Sequence, residues 1–389
     1  MQTYKEHRNQ EILQNLRATL TRRGLSQRDL ARLLQKKESE ISRWFSGRVS
    51  ISKTTQTKIE NILQEAISSD STFGNLLKTQ KIGIIGTGSI ARRFASEISH
   101  VQNVIITAAY NTDSIQLNEF CKEFDIEHAC SNTQELMEMC DSIYIASPVN
   151  THYEYARLSL ERGRHTLCEM PFTCSKEEAK SLYQIAQEKN LILMPALKTA
   201  YCPSFIQMIE IAKSGIIGDI TEISAAVTTL LPDDTPTEFY NERLLENATY
   251  PLLATYKLFG TNSRKNRIFT KREQDKIRFA HICMEYTEAI STFRIGVGVK
   301  SEGSLVISGT KGYIYVPAPW WKTEYFEVRF ENQNDNKKYF FPYESSGLRY
   351  EIQAFADSIC RKSVLKEYVT KEENMKILEL QNKIENNGK

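Results

Sequence analysis

The sequence predicts an α/β chain of three parts. A small all-α unit spans residues 1–68, a doubly wound parallel-sheet unit spans 81–200, and an α+β unit with a mostly antiparallel sheet spans 201–389, with a linker at 69–80. Three observations predict this. Apolar residues recur at helical spacing through the first 66 residues. From Lys81 onward, short apolar runs alternate with helical patterns. After Pro203 the texture becomes alternating apolar and polar residues broken by turn residues.

The bulk numbers fit this division. A chain of 389 residues is long enough for two or three domains. No apolar run reaches the ~20 residues of a membrane span, and the polar start MQTYKEHRNQE lacks the apolar stretch of a signal peptide. The eight cysteines form no CxxC or Cys/His cluster, which indicates neither a metal site nor a disulfide framework and leads to the expectation of a cytoplasmic protein. Charge is unevenly divided. Residues 1–66 hold 13 Lys/Arg against 7 Asp/Glu, so the first part is basic and the remainder slightly acidic. An appended nucleic-acid module has this balance.

In the basic part, Ile12, Leu13, Leu16 and Leu20 form one helical stripe that Gly24 stops. Ser26 with Asp29 three residues on forms a capping box that opens a second helix over QRDLARLLQ. After the polar break at Lys36 and Lys37, ESEISRWFSG begins a third helix with Ile41, Trp44 and Phe45 inward, ended by Gly47; Ser52 to Ala66 forms a fourth. Polar side chains at Ser39, Glu40, Ser42 and Arg43 suit base edges in a major groove, while Gln27, Arg48 and Lys53 suit phosphates. The stretch GLSQRDLARLLQKKESEISRWFSGR resembles the helix-turn-helix of the Cro and phage-repressor family, which implies DNA as a partner. The alternative is a small helical cap that contacts another protein.

The second part opens on the strand KIGIIG, followed by Gly86-Thr87-Gly88-Ser89-Ile90-Ala91 and the helix ARRFASEIS. A strand, a glycine-rich turn and a helix in that order form a dinucleotide cradle. Gly86 permits the turn, Gly88 permits close approach of the backbone, and the helix N-terminus favours the pyrophosphate. The next strand, NVIITAAY, ends at Asn111. An acid there grips the adenosine ribose; asparagine bonds a hydroxyl without charge. This leans to NAD, while Arg92 and Arg93 keep NADP open.

Further on come DSIYIASPVNTH (141–152), ARLSLERGRH (156–165) and CEMP (168–171). In this order they resemble the Gfo/Idh/MocA oxidoreductases, two-domain NAD(P)-dependent enzymes of sugars, cyclitols and related alcohols. The likeness runs through GIIGDI (215–220) to about residue 362. It implies that Ser147, Pro148, His152, Glu169 and Met170 lie beside the cofactor. The family's signature there is Glu-Lys-Pro, its lysine moving the proton of the reacting hydroxyl; here it is Glu169-Met170-Pro171. Methionine fills similar volume and transfers no proton.

In the third part, six strands are expected at 220–229, 288–299, 303–309, 313–318, 325–330 and 337–343. A helix over ERLLENATYPLLATYKLFG lies between the first two. The resemblance assigns its Glu246 and Tyr250, one turn apart, to the cofactor-facing side as catalytic candidates, against an exposed acid and a packed ring. Lys198, in MPALKTAYCPSF, is a third candidate for the missing lysine's task, with a solvated lysine as its plain reading. PAPWWKTEYF (317–326) is either a sugar-stacking wall or core, and RKNRIFTKREQDK (264–276) is expected to be solvated surface. The resemblance also implies a homodimer or higher homo-oligomer joined through the open sheet face.

Two functions remain in view. One is a DNA-binding regulator whose body senses a dinucleotide or a sugar-like small molecule with weakened or lost catalysis. The other is an active NAD(P)-dependent oxidoreductase of a sugar, cyclitol or sugar-nucleotide alcohol. Helices serving assembly alone are a third reading, one that leaves the charge division unexplained.

Overall fold

The computed structural model describes residues 31, 36–45, 55, 79–101, 103–232, 235–342, 346–360 and 368–387. The helix expected over 11–23, most of those over 27–35 and 52–66, the Ser26 cap, most of the linker, and Gln27, Arg48 and Lys53 lie outside the described residues. In the basic part, α1 (Glu38–Phe45) follows the Lys36–Lys37 break, with Ile41 and Trp44 fully inward as its periodicity requires.

The second part is a six-stranded parallel sheet in the order β3-β2-β1-β4-β5-β6. Its strands are β1 (Gln80–Ile85), β2 (Val104–Tyr110), β3 (His128–Ala129), β4 (Ser142–Ile145), β5 (His165–Glu169) and β6 (Leu193–Ala196). The central strands read as continuous apolar runs because both faces are covered; Ile82, Ile84, Ile143, Tyr144, Ile145 and Leu167 are all buried. The connecting helices are α2 (Ser89–Ile98), α3 (Ser114–Glu123), α4 (Thr133–Met139), α5 (His152–Glu161) and α6 (Lys176–Glu188). Their starts follow local chemistry: Asp113 and Asn132 cap α3 and α4, and Ser175 with Glu178 forms a capping box on α6. The order of strands reverses between β1 and β4, which places a ligand crevice beyond their carboxyl ends.

After α7 (Pro203–Lys213) comes an eight-stranded sheet in the order β14-β13-β12-β11-β7-β10-β9-β8. Its strands are β7 (Ile220–Thr229), β8 (Lys265–Glu273), β9 (Lys276–Glu285), β10 (Ile290–Val297), β11 (Leu305–Gly309), β12 (Tyr313–Val316), β13 (Tyr325–Arg329) and β14 (Lys337–Phe340). Only β7 and β10 pair in parallel; the rest is antiparallel, as the alternation predicts. The sheet has two more strands than expected, because the charged run 264–276 is β8 and the turn into β9. As an edge strand, β8 turns Lys265, Arg267, Phe269 and Lys271 outward and keeps Ile268 half-buried.

The long helix α8 (Thr237–Phe259) lies on the inner face against β7, β9 and β10. Asn247 pins it there: its buried amide bonds the Gly296 carbonyl at 3.2 Å and faces the Thr229 hydroxyl. The final helices, α9 (Leu348–Cys360) and α10 (Lys371–Asn386), return to the parallel sheet, α9 packing on α2 and α10 on both α8 and α6. Buried Glu97 of α2 accepts from the Ser346 amide and hydroxyl and from Arg349 at 2.7–2.9 Å, which locks α9 to the helix after the glycine-rich turn.

Candidate active site and cofactor cleft

The glycine-rich turn fits a dinucleotide. Gly86 has φ +96°, and a Cβ on it would stand 2.5 Å from the Ala146 carbonyl oxygen, so the crossing of β1 and β4 admits only glycine. A Cβ on Gly88 would meet nothing within 4 Å, leaving open space in front of α2. Gly88 caps α2, and no side chain caps that helix, so its start can receive a pyrophosphate at Gly86, Thr87, Gly88, Ser89, Ile90 and Ala91. Asn111 at the tip of β2 donates to the buried Thr87 hydroxyl at 2.6 Å, placing it beside the cradle where a ribose would lie. Asp113 is taken up capping α3 through the amides of Ile115 and Gln116. The two arginines that kept NADP open diverge. Arg92 pairs with Glu123 over the Phe120 ring, while Arg93 turns into the cleft described below. A bound nicotinamide dinucleotide would supply or accept a hydride here.

Ile90, Ser147, Pro148, His152, Glu169 and Met170 line one wall of a cavity of about 270 Å³, with Arg243 and Glu246 of α8 on the other side. His152 is a tie within this wall. Its ring nitrogens lie 2.9 Å from the Pro171 carbonyl and 2.8 Å from that of Ser147, and it is 2 % exposed. Burial lowers its pKa, and the neutral ring donates to one of the two carbonyls only. It therefore ties the start of α5 to one of the loops after β4 and β5 and packs against the other.

Next to this space, and sharing Ile90, Glu169, Met170, Arg243 and Glu246 with it, is a second cavity of about 260 Å³ between the two sheets. It brings together all three catalytic candidates, Glu246, Tyr250 and Lys198, with Met170. Glu246 and Tyr250 are one turn apart on α8 and face the cleft; the Tyr250 hydroxyl donates to Glu246 at 3.4 Å and Arg243 holds the other carboxylate oxygen at 2.5 Å. Burial, and then Glu246 and Glu169, raise the Tyr250 pKa, keeping it a neutral phenol.

The plain reading of Lys198 as solvated is corrected. It is half-buried on a 3-10 turn after β6, donates to the Ser346 carbonyl at 3.2 Å, and lines the same cavity as Met170. Burial and then Arg93 lower its pKa from the usual ammonium value. Glu169 accepts a short hydrogen bond from the Tyr144 hydroxyl, and burial pushes its pKa up to about 7 despite that bond.

Several cleft residues had no sequence signal of their own. Arg243 and Lys322 reach it from distant positions. Glu351 of α9 is completely buried behind it, with neither carboxylate oxygen bonded to any described residue. The double-tryptophan segment divides: Trp320 is core, its indole donating to the Ala226 carbonyl at 3.1 Å, while Trp321 lines the cleft and stacks on Tyr250 with ring centres 6.0 Å apart.

In the N-terminal part, α1 exposes Ser39, Ser42 and Arg43 on the side away from Ile41 and Trp44. Glu40 is partly turned back, accepting from Lys36 at 2.5 Å. This lessens the repulsion that a carboxylate would bring to a phosphate backbone.

Comparison with known proteins agrees with this arrangement. Residues 80–197 match the Gfo/Idh/MocA model, described as an oxidoreductase family with an NAD-binding Rossmann fold, and residues 16–68 match a helix-turn-helix model. Scyllo-inositol 2-dehydrogenase (NADP(+)) IolU of Bacillus subtilis (strain 168) is 33 % identical over 130 residues, covering 33 % of this chain and 40 % of its own. D-xylose 1-dehydrogenase (NADP(+)) of Hypocrea jecorina is 30 % identical over 156 residues, covering 36 % of this chain and 40 % of its own. The chain thus spans about two fifths of the length of these curated relatives. UDP-N-acetylglucosamine 3-dehydrogenase GnnA from Acidithiobacillus ferrooxidans shares the fold, with a TM-score of 0.67 at 18 % identity, over 78 % of this chain and 96 % of that one. The family is described as NAD-binding and the two curated relatives are named for NADP(+), so the lean toward NAD gains no support. The chain thus joins a segment similar to the NAD-binding Rossmann part of the Gfo/Idh/MocA oxidoreductases, over residues 80–197, to an N-terminal segment similar to a helix-turn-helix, over residues 16–68.

Proposed function

We propose that the protein is a DNA-binding regulator whose body binds NAD(P) and a sugar-like ligand, with catalysis weakened by the loss of the family lysine. One observation carries this reading. Met170 occupies the shared wall of the two cavities, in a site whose dinucleotide turn, Glu169, Glu246 and Tyr250 are otherwise in place. A thioether there preserves shape and removes the ammonium that would take the proton of a reacting hydroxyl. Binding then outlives turnover, and a sensor benefits from not consuming what it measures.

In this reading the regulator works in the cytoplasm as a homodimer or higher oligomer. The sheet face opposite α8 carries Phe269, His281 and Arg294 in one row across β8, β9 and β10, and a partner copy would cover it. Two N-terminal units would then meet half-sites about 34 Å apart. A ligand shifts DNA affinity by its differential binding to the competent arrangement, commonly about 5–150-fold. The test is fluorescence anisotropy of a selected operator with the full chain, with and without saturating dinucleotide. A shift in that range supports the reading; identical affinity in both states sinks it.

A second reading is favoured by Lys198. Its ammonium lines the same cavity as Met170 and has a lowered pKa, which suits an acid–base group. The protein would then be an oxidoreductase with a relocated lysine. Turnover of a polyol by the wild type that disappears in Lys198→Met would establish it.

A further inference from the structure

The cavity between the two sheets has a charge balance that the reading above does not use. Four cationic side chains reach it from four separate elements: Arg93 from α2, Lys198 from the turn after β6, Arg243 from α8 and Lys322 from the turn after Trp320. Two carboxylates share the lining. Glu246 is occupied by Arg243 and Tyr250, and Glu169 is held by Tyr144. Glu351 behind the wall is buried without a hydrogen-bond partner among the described residues, the condition in which a carboxyl group keeps its proton. Positive charge therefore outweighs negative in a partly open cleft of about 260 Å³, whose walls strengthen its field.

The cations feel one another. Burial lowers the pKa of Lys322, followed by Lys198, with Arg93 and Arg243 also lowering it. Folding brings together like charges that the free chain keeps apart, a cost that an incoming anion removes. The lining also holds an aromatic platform, Trp321 stacked on Tyr250, with Leu197, Ile90 and Met170 around it and the polar side chains of Thr229, Asn247 and Thr249 beside it. Such a platform suits the face of a sugar ring. The volume lies just below the roughly 300–1,000 Å³ of common ligand pockets, the scale of a monosaccharide.

We infer that the ligand of this cleft is a monosaccharide-sized molecule bearing an anionic group, a phosphate monoester or a carboxylate, held by Lys198, Lys322, Arg93 and Arg243 over the Trp321–Tyr250 platform. The inference rests on reading the body as a dinucleotide- and sugar-binding unit. It adds the charge class of the second ligand.

The experiment is calorimetric titration of the full-length protein, first saturated with NAD⁺ or NADP⁺, using glucose, glucose 6-phosphate, glucuronate and inorganic phosphate at constant ionic strength. At least one charged sugar is expected to bind at least about tenfold more tightly than glucose, a difference of ~1.4 kcal/mol. Whichever of glucose 6-phosphate and glucuronate binds more tightly names the anionic group. Lys322→Met is expected to abolish that preference, and Lys322→Arg, which keeps the charge, to retain it. Equal affinity for glucose and both charged sugars overturns the inference, as does a charged-sugar preference untouched by Lys322→Met. It also falls if no probe binds the dinucleotide-loaded protein. If neither dinucleotide binds, the reading of the body fails. Binding of inorganic phosphate alone, with no sugar bound, overturns it as well.

Discussion

Replacing Glu351 by glutamine separates the charge of the buried carboxyl from its shape. Glu351 is wholly buried on α9, and neither of its oxygens has a hydrogen-bond partner among the described residues. Burial raises its pKa well above the usual carboxylate value; Glu169 raises it further and Lys198 opposes. Tyr144 on β4 and Tyr201 on the turn after β6 also face it. The folded protein thus holds a proton that the unfolded chain releases above about pH 4.3. Stability falls as pH rises from there toward the folded pKa, by up to ~1.4 kcal/mol for each unit. Glutamine is neutral throughout and escapes this loss. Glu351→Gln should therefore match the wild type near pH 4.5 and gain on it by up to ~1.4 kcal/mol per unit above that. Urea unfolding followed by circular dichroism between about pH 5 and 8 reads the difference. A stability difference that does not change with pH would refute the reasoning, because it would mean that Glu351 ionises as readily in the folded protein as in the unfolded one.

Two further substitutions test the cradle and the N-terminal unit. Gly86→Ala forces a Cβ to within 2.5 Å of the Ala146 carbonyl at a positive φ, and should cost at least roughly 1–3 kcal/mol in thermal denaturation while weakening dinucleotide binding. Trp44→Ala removes a ring that is 4 % exposed beside Ile41, and should destabilise the N-terminal unit by roughly 3–5 kcal/mol and reduce DNA binding without altering the dinucleotide-induced thermal shift of the body.

What could be read in the sequence was what local chemistry determines. The order strand, Gly86-Thr87-Gly88, helix is visible because each residue's role depends on its neighbours in the chain. The helical spacing of Ile41 and Trp44 and the i, i+4 pair Glu246–Tyr250 are local for the same reason. The β8 strand escaped notice because an edge strand carries Lys265, Arg267 and Lys271 outward, so its composition mimics a solvated loop. The cation group escaped notice because Arg93, Arg243 and Lys322 are scattered along the chain and meet only when α2, α8 and the tryptophan turn close on one cavity. Lys198 was legible as a cleft candidate but its burial was not, since its ammonium is held by the Ser346 carbonyl, far along the chain. Glu351 gave no sign at all; an acid on an amphipathic helix reads as surface until the helix packs with that face inward.

Met170 and Lys198 line one cavity, and their identities are best understood together. A lysine at 170 would be a fifth cation in a space that already holds Arg93, Lys198, Arg243 and Lys322. Like charges brought together in a partly desolvated cleft repel, and each lowers the other's pKa. Methionine at 170 adds no charge to the cavity that Lys198 lines. The consequence is a measurable coupling. Met170→Lys alone should be destabilising and give little turnover, because its ammonium competes with Lys198. Adding Lys198→Met should recover stability, with a coupling of ~0.5–3 kcal/mol in the double-mutant cycle. The double variant should also raise kcat/KM on a polyol panel by roughly 10²–10⁴-fold over Lys198→Met alone. Additive stability changes in the cycle would show that the two positions do not share a field, and the relocation of charge from one wall of the cleft to the other would lose its physical basis.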